Sequence, residues 1–265
     1  MKQYKLLAHS RMFELFTIFN RENIPDCRAV AIREIDLSQI EALRLKLQNG
    51  NEKPSYTALV AKATALTLAE MPDANRAVAD FPLHTRVFQF LKINVSVAVE
   101  RQDGDFGGAF VYTIYDTDQK NTAQITKEIA GLAQATVESG DPRLERWVRM
   151  QDGVRLAPFN WILKLVIWFQ KNIPSLYIAN RGGSVLISSP SKYGVDFIVA
   201  HWPYTIGISF GLAKERPWVE NDQVVVRKTT TLTLAFDRRI LSGANAARFM
   251  NRLCEILENP PAALY

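Results

Sequence analysis

Several short segments of the chain alternate apolar and polar residues, and this pattern predicts strands with one apolar face. From Ile93 to Val99, isoleucine and valine alternate with asparagine, serine and alanine. The other predicted strands share this alternation or a dense run of β-branched residues, and they are Arg28–Ile35, Ala109–Tyr115, Ser184–Ser188, Thr205–Gly211, Gln223–Arg227 and Thr230–Phe236.

Other segments space their apolar residues three or four positions apart, which predicts amphipathic helices. Ser38 followed three residues later by Glu41 has the spacing of a capping box, so a helix is expected from Ser38 to Leu47. The remaining predicted helices are bounded by proline, serine, threonine or glycine, and they run from Ser55 to about Met71, from Thr122 to about Ser139 and from about Ala244 to Leu257.

The order of these elements favours an α/β fold with a mixed sheet flanked by helices. Strands and helices are interspersed without the regular spacing of a doubly wound parallel sheet. No glycine-rich phosphate-binding motif of the Rossmann or P-loop type is present in the sequence.

The segment 141–180 has a different character and is predicted to be a helical insert. Its apolar run from Pro158 to Phe169 is broken by Lys164 and is shorter than the roughly 20 residues that span a bilayer. One interpretation is a buried or subunit-facing helical hairpin. The other is a surface that lies on a membrane or receives a partner, because Trp, Phe, Lys and Arg together suit an interface. The insert is expected to be dispensable for the folding of the rest of the chain but needed for contact with a partner.

Composition limits the remaining classes of protein. The 265 residues are 48% hydrophobic, which suffices for one sizeable core. Two cysteines, Cys27 and Cys254, do not make a disulfide framework, so a reducing, cytoplasmic setting and no metal site are expected. The net charge of +5 suits an anionic ligand such as coenzyme A, a membrane surface or nucleic acid, and by itself it separates none of them. No nucleic-acid-binding motif occurs, and no nucleic-acid partner is expected.

Two C-terminal segments carry a specific resemblance. The sequence FDRRILSGA begins at Phe236, and GGSVLISS begins at Gly182. They resemble the Asp-His-Arg-x-x-Asp-Gly-Ala and Gly-Gly-Thr-Phe-Thr-Ile-Ser motifs of the catalytic domain of 2-oxo-acid dehydrogenase acyltransferases, the dihydrolipoamide acyltransferase family. PSY at Pro54 and the turn MPDAN at Met71 resemble further motifs of this family in the same order.

The resemblance implies a chloramphenicol-acetyltransferase-like fold and a homotrimer with active sites between subunits. In that family a histidine takes the proton from the thiol of coenzyme A or dihydrolipoamide, and a serine of the neighbouring subunit donates a hydrogen bond to the oxyanion. By this resemblance Ser188 has the serine position, Arg238 the histidine position, and Ser242 the position of an Asp or Asn that holds the local structure. Arginine stays protonated and cannot act as a general base.

The resemblance therefore implies a divergent, stand-alone member, one domain over residues 1–265 without a lipoyl or subunit-binding domain. Its expected role is that of a trimeric binding or scaffold module for coenzyme A-linked acyl transfer, with standard activity lost or much reduced. The alternative is an active coenzyme A-dependent acyltransferase with an altered mechanism, because a guanidinium favours a thiolate. Acyl-coenzyme A or a lipoyl-type thioester is the expected partner, coenzyme A a candidate substrate, and no covalently bound cofactor is expected.

Two further points concern the missing base. None of the histidines, His9, His84 and His201, falls at a catalytic position of the family. Arg238 is expected to project to the same side as Phe236, where it needs either an ion-pair partner or water. An intramolecular carboxylate that closes the channel is the expected arrangement, and an open cationic channel is the alternative.

Overall fold

The computed structural model describes residues 3–7, 27–48, 53–103, 106–134, 160–200 and 202–265. In this part of the chain the strands form two sheets, and in chain order they are β1 (Tyr4–Leu7), β2 (Arg28–Asp36), β3 (Arg76–Asp80), β4 (Thr85–Phe90), β5 (Val95–Asp103), β6 (Phe106–Ile114), β7 (Val185–Ser188), β8 (Ile206–Phe210), β9 (Lys214–Glu220) and β10 (Gln223–Asp237). The helices are α1 (Ser38–Lys46), α2 (Tyr56–Glu70), α3 (Thr122–Gln134), α4 (Asn160–Asn172), α5 (Pro174–Arg181) and α6 (Gly243–Glu258).

The larger sheet is mixed, as the sequence predicts. Its strand order is β2-β10-β8-β7-β5-β6, and β9 pairs with β10 beside this path. The central strand β7 runs parallel to both β5 and β8, whereas the other pairs are antiparallel. Helices α1, α2, α3 and α6 share one hydrophobic core with this sheet, in which Phe249 of α6 and Leu59 of α2 are almost fully buried.

The smaller sheet, in the order β1-β4-β3, is covered by α5. The ring of Tyr177 on α5 lies 5.5 Å from the ring of Phe88 and 5.6 Å from that of Phe90, centroid to centroid. Tyr177 and Ile178 are buried in this second core. The fold thus uses part of the predicted insert to build a core. That the rest of the chain folds without segment 141–180 stays a prediction, and the packing of α5 counts against it.

Helices α4 and α5 pack on each other, as a helical hairpin would. Asn172 at the end of α4 is buried, and its side chain accepts a hydrogen bond from the backbone N–H of Asp80 on β3. Leu165, Val166 and Phe169 of α4 expose more than two fifths of their surface. No helix within the described ranges is long and apolar enough to cross a membrane. Residues 141–159 of the predicted insert lie outside the described residues.

Some predicted boundaries differ from the structure for local physical reasons. Ser38 does not cap α1, because its hydroxyl and its backbone N–H both donate to Asp36 at the end of β2. Ser55 does cap α2, where its side chain accepts a hydrogen bond from the N–H of Ala58 at 3.1 Å. The two predicted strands near the C-terminus are one strand, β10, because Lys228 and its neighbours pair with β9.

Candidate functional site

Ser188 ends the central strand β7, whose start is fixed by two glycines. Gly182 has a φ of +76°, and a Cβ on Gly183 would lie 2.4 Å from the backbone oxygen of Asn94. The Asn94 side chain in turn donates a hydrogen bond to the Gly182 oxygen at 2.9 Å. This close approach places β7 beside β5. The Ser188 side chain is partly exposed, and its hydroxyl has no hydrogen-bond partner among the described residues.

A cavity of about 260 Å³ lies at this end of the sheet. Its wall is mainly apolar and includes Phe210 and Leu232, and Ser191, three residues beyond Ser188, also lines it. Lys192 and Lys228 are its two lysines, and each forms an ion pair with a glutamate. The combination of an apolar wall and lysines suits a chain-like ligand that carries negative charge.

The second group of candidate site residues lies at the end of β10, around Arg238. Asp237 is 5% exposed, and its carboxylate accepts three side-chain hydrogen bonds from Arg239. They run from Nε to Oδ1 at 3.0 Å, from Nε to Oδ2 at 3.2 Å and from Nη2 to Oδ2 at 2.6 Å. The Cys27 thiol donates to the same carboxylate at 3.4 Å. Burial alone would raise the pKa of Asp237, but the bonds and charge of Arg239 outweigh it and hold this pKa below its ordinary value. This buried pair fixes the backbone on both sides of residue 238.

Arg238 lies between the two members of that pair and points elsewhere. It is exposed, and its backbone N–H donates to the Cys27 oxygen at 2.9 Å. Its guanidinium has no ion-pair partner among the described residues, so the expected intramolecular carboxylate is not found there. The physical reason is that Asp237 and Asp80 both face Arg239, with Asp80 Oδ2 3.8 Å from Arg239 Nη1. In this single copy Arg238 is exposed to solvent.

Ser242 begins helix α6. Its φ and ψ of −65° and 159° are those of a cap residue, and its hydroxyl accepts a hydrogen bond from the N–H of Asn245 at 3.2 Å. This contact holds the turn after β10 against the helix. Of the histidines, His84 stacks on Phe81 with 5.0 Å between ring centroids, whereas His9 and His201 lie outside the described residues.

One chain does not bring Ser188 and Arg238 together. Ser188 pairs in register with Ser209 of β8, and Ser209 pairs with Thr233 of β10. Asp237 lies four residues further along β10, which is roughly 13 Å along the strands, and about 10 Å across them for two strand spacings. The two predicted site residues therefore lie at opposite ends of the sheet.

The fold defines the class of protein. The chain superimposes on a chloramphenicol acetyltransferase with a TM-score of 0.58 and 13% identity, covering 96% of this chain and 99% of that one. It superimposes on the dihydrolipoamide acetyltransferase of Azotobacter vinelandii, studied for the roles of a serine, a histidine and an asparagine in its mechanism, with a TM-score of 0.66 and 21% identity, covering 98% and 94%. The fold is thus chloramphenicol-acetyltransferase-like, as predicted.

The chain belongs to the family described as 2-oxoacid dehydrogenases acyltransferase (catalytic domain), whose model matches residues 20–140 and 179–265. It is 24% identical over 247 residues to the dihydrolipoyllysine-residue acetyltransferase component of the pyruvate dehydrogenase complex of Zymomonas mobilis, covering 91% of this chain and 46% of the relative. The lipoamide acyltransferase component of the branched-chain complex of Bacillus subtilis is also 24% identical, covering 87% and 46%. The chain therefore spans less than half the length of these relatives.

Proposed function

We propose that the protein is a trimeric module for coenzyme A-linked acyl transfer in which the standard histidine base is replaced by Arg238. Ser188 of one copy then faces Arg238 of the next. The observation that carries this proposal concerns two side chains at opposite ends of one sheet. The Ser188 hydroxyl and the Arg238 guanidinium have no hydrogen-bond or ion-pair partner among the described residues. Each would contribute to a site that a second copy completes.

The chemistry of these residues accounts for a loss of standard activity. A general base must accept the proton of the attacking thiol, and a guanidinium stays protonated at any physiological pH. Ser242 does not restore the base, because its hydroxyl already caps α6. Free thiols have a pKa near 8.5, so about a few per cent of a thiol substrate is ionised at neutral pH without any base. Slow transfer is therefore the expected result, since the thiol still meets the thioester in a shared site.

Coenzyme A is the proposed ligand because the residues that line the cavity near Ser188 match its apolar chain and its phosphate groups. That cavity is mainly apolar and contains Lys192 and Lys228. Its apolar part suits a pantetheine-like chain, and its lysines suit phosphate groups.

A trimer in solution is the first expected result. The monomer mass is 30.0 kDa, so light scattering coupled to size exclusion should give about 90 kDa. A mass near that of one chain at micromolar concentrations would remove the shared site, because Ser188 and Arg238 do not meet within one copy.

Transfer of an acyl group from acyl-coenzyme A to dihydrolipoamide is expected to be slow. Ordinary enzymes turn over about 10 times per second, and loss of a base costs on the order of 10² to 10⁴ in rate, so at most ~0.1 per second is expected. The rate is measured by thioester exchange with purified protein. A turnover of ordinary size would contradict the proposal.

A second candidate function is favoured by the exposure of Arg238. A free guanidinium beside the attacking sulfur would lower the pKa of the thiol and raise the thiolate fraction. In this active acyltransferase with an altered mechanism, Arg238→Ala reduces turnover at least tenfold, whereas in the leading proposal turnover stays equally low. Arg248→Ala is the matched control, because Arg248 is an exposed arginine on α6 whose side chain contacts only Asn245 in the described part of the chain.

A further inference from the structure

A second cavity, of about 320 Å³, lies between the helical hairpin α4–α5 and the end of β10. Four cationic side chains line it, Arg28, Lys171, Arg181 and Arg239, and Asp237 is the one carboxylate among its lining residues. The Arg238 side chain does not line this cavity, so it is distinct from the surface proposed for acyl transfer.

Two of these cations, Lys171 and Arg181, are not balanced by a carboxylate among the lining residues. Arg239 already engages both oxygens of Asp237. Lys171 and Arg181 have no carboxylate partner in the part of the chain that the structure describes, and the Arg181 guanidinium lies 5.0 Å from the centre of the Tyr177 ring. Burial, together with the positive charges of Arg239 and Arg181, lowers the pKa of Lys171. Partly buried cations are costly without a counter-charge, and an anion in the cavity would supply it.

The rest of the wall is mainly apolar or phenolic. Aliphatic surface comes from Ala77, Val78, Ile167 and Pro203, and aromatic rings come from Tyr177 and Tyr204. Thr205 also lines the cavity, but its hydroxyl donates to the backbone oxygen of Arg76. A volume of this size is at the lower end of the range for small-molecule sites. The wall therefore suits a ligand with one negatively charged end and a short apolar body.

We propose that this cavity binds a small organic oxyanion, with its carboxylate or phosphate group between Lys171 and Arg181. Lys171 belongs to the stretch that the family model does not match, so this chain brings a cation of its own to the site. The ligand's apolar body lies against the aliphatic wall that Ile167 and Val78 provide.

The test measures the thermal unfolding midpoint of the full chain against rising butyrate and inorganic phosphate, with chloride at matched ionic strength as the reference. A saturable rise is expected with at least one of the two, because a ligand that binds only the native state stabilises it. The probe that binds more tightly identifies the charged group of the ligand as a carboxylate or a phosphate.

The variants Lys171→Gln and Arg181→Gln should each weaken binding of that probe at least tenfold. Lys127→Gln is the control and should leave binding unchanged, because Lys127 is an exposed lysine on α3. No saturable effect of either probe, or equal affinities in all variants, would overturn the proposal.

A variant with an added carboxylate tests the site without removing a cation. Ile167 lines the cavity one helical turn before Lys171, so the carboxylate of Ile167→Glu would occupy the place of the anion. This variant should lose butyrate and phosphate binding. Val166→Glu is the control, because Val166 has a similar exposure on the same helix but does not line the cavity, and it should bind as the native protein does. Equal binding by both glutamate variants would overturn the proposal even if Lys171→Gln failed to fold.

Discussion

Replacing Asp237 with alanine is expected to lower the free energy of unfolding by about 3 to 5 kcal/mol, because it leaves the buried Arg239 guanidinium without its counter-charge. Arg239 is 12% exposed in its side chain, and both oxygens of Asp237 face it. The nearest other carboxylate among the described residues, that of Asp80, is 3.8 Å away and also accepts a hydrogen bond from the Thr85 hydroxyl. The measurement is urea unfolding at neutral pH, followed by tryptophan fluorescence.

A surface pair of similar geometry provides the control. Glu70 and Arg252 also form a two-point contact, at 2.6 and 2.8 Å, but their side chains are 48% and 40% exposed. Glu70→Ala should therefore cost less than about 1 kcal/mol. The combined change Asp237→Ala with Arg239→Met should cost less than Asp237→Ala alone, because no buried charge is left unpaired. A cost for Asp237→Ala as small as that for Glu70→Ala would contradict the proposed role of the pair.

Acid should reveal the same interaction. The pKa of Asp237 in the folded protein is below its ordinary value, so its carboxylate stabilises the fold wherever it is ionised in the unfolded chain. This contribution is complete above a pH of about 4 and is lost as the pH falls below that value toward the folded pKa. The stability difference between the native protein and Asp237→Ala should shrink over the same range.

The second large effect is expected for Tyr177→Ala, at about 3 to 5 kcal/mol, the usual cost of removing a buried aromatic ring. Tyr177 is 3% exposed and packs against Phe88 and Phe90 of the small sheet. Thermal or urea unfolding of the variant measures the loss. Tyr177→Phe keeps the ring and should cost much less.

Tyr115→Ala is the matched control for this substitution. Tyr115 is 45% exposed, so its removal should change the free energy of unfolding by less than about 1 kcal/mol. If Tyr177→Ala proved as mild as Tyr115→Ala, helix α5 would be an added unit after all, as the sequence predicts, and not part of the core.

Much of the larger sheet was predictable because its strands alternate apolar and polar residues on a half-buried surface. The strands that sequence reasoning missed lack this signal. β9 carries four charged residues and Pro217, which is tolerated because β9 pairs only with β10 in the described sheet and so leaves one edge free. β3 and β4 are short, and their turn at Phe81–His84 resembles a loop when the partner strands are unknown.

The candidate site was predictable only where the signal is local. The strand period alone places Asp237 and Arg239 on one side and Arg238 on the other, and the structure has this arrangement. The sequence could not show that Asp80 and Asp237 face Arg239 and leave Arg238 without either carboxylate as a partner. The same holds for the cavity around Lys171, where the lining residues come from β2, β3, α4, α5 and β10. Such contacts follow from the tertiary fold and not from spacing along the chain.

The separation of Ser188 and Arg238 along one sheet has a consequence for mixtures of intact and defective copies. In the closed ring of three that we propose, each copy would lend its serine to one site and its arginine to another. If Arg238 assists the thiol, as in the second candidate function, a copy that carries both Ser188→Ala and Arg238→Ala would damage two of the three sites, so a minority of such subunits would depress the function of the whole population. Conversely, a copy with only the first change and a copy with only the second would regain intact sites when they are refolded together.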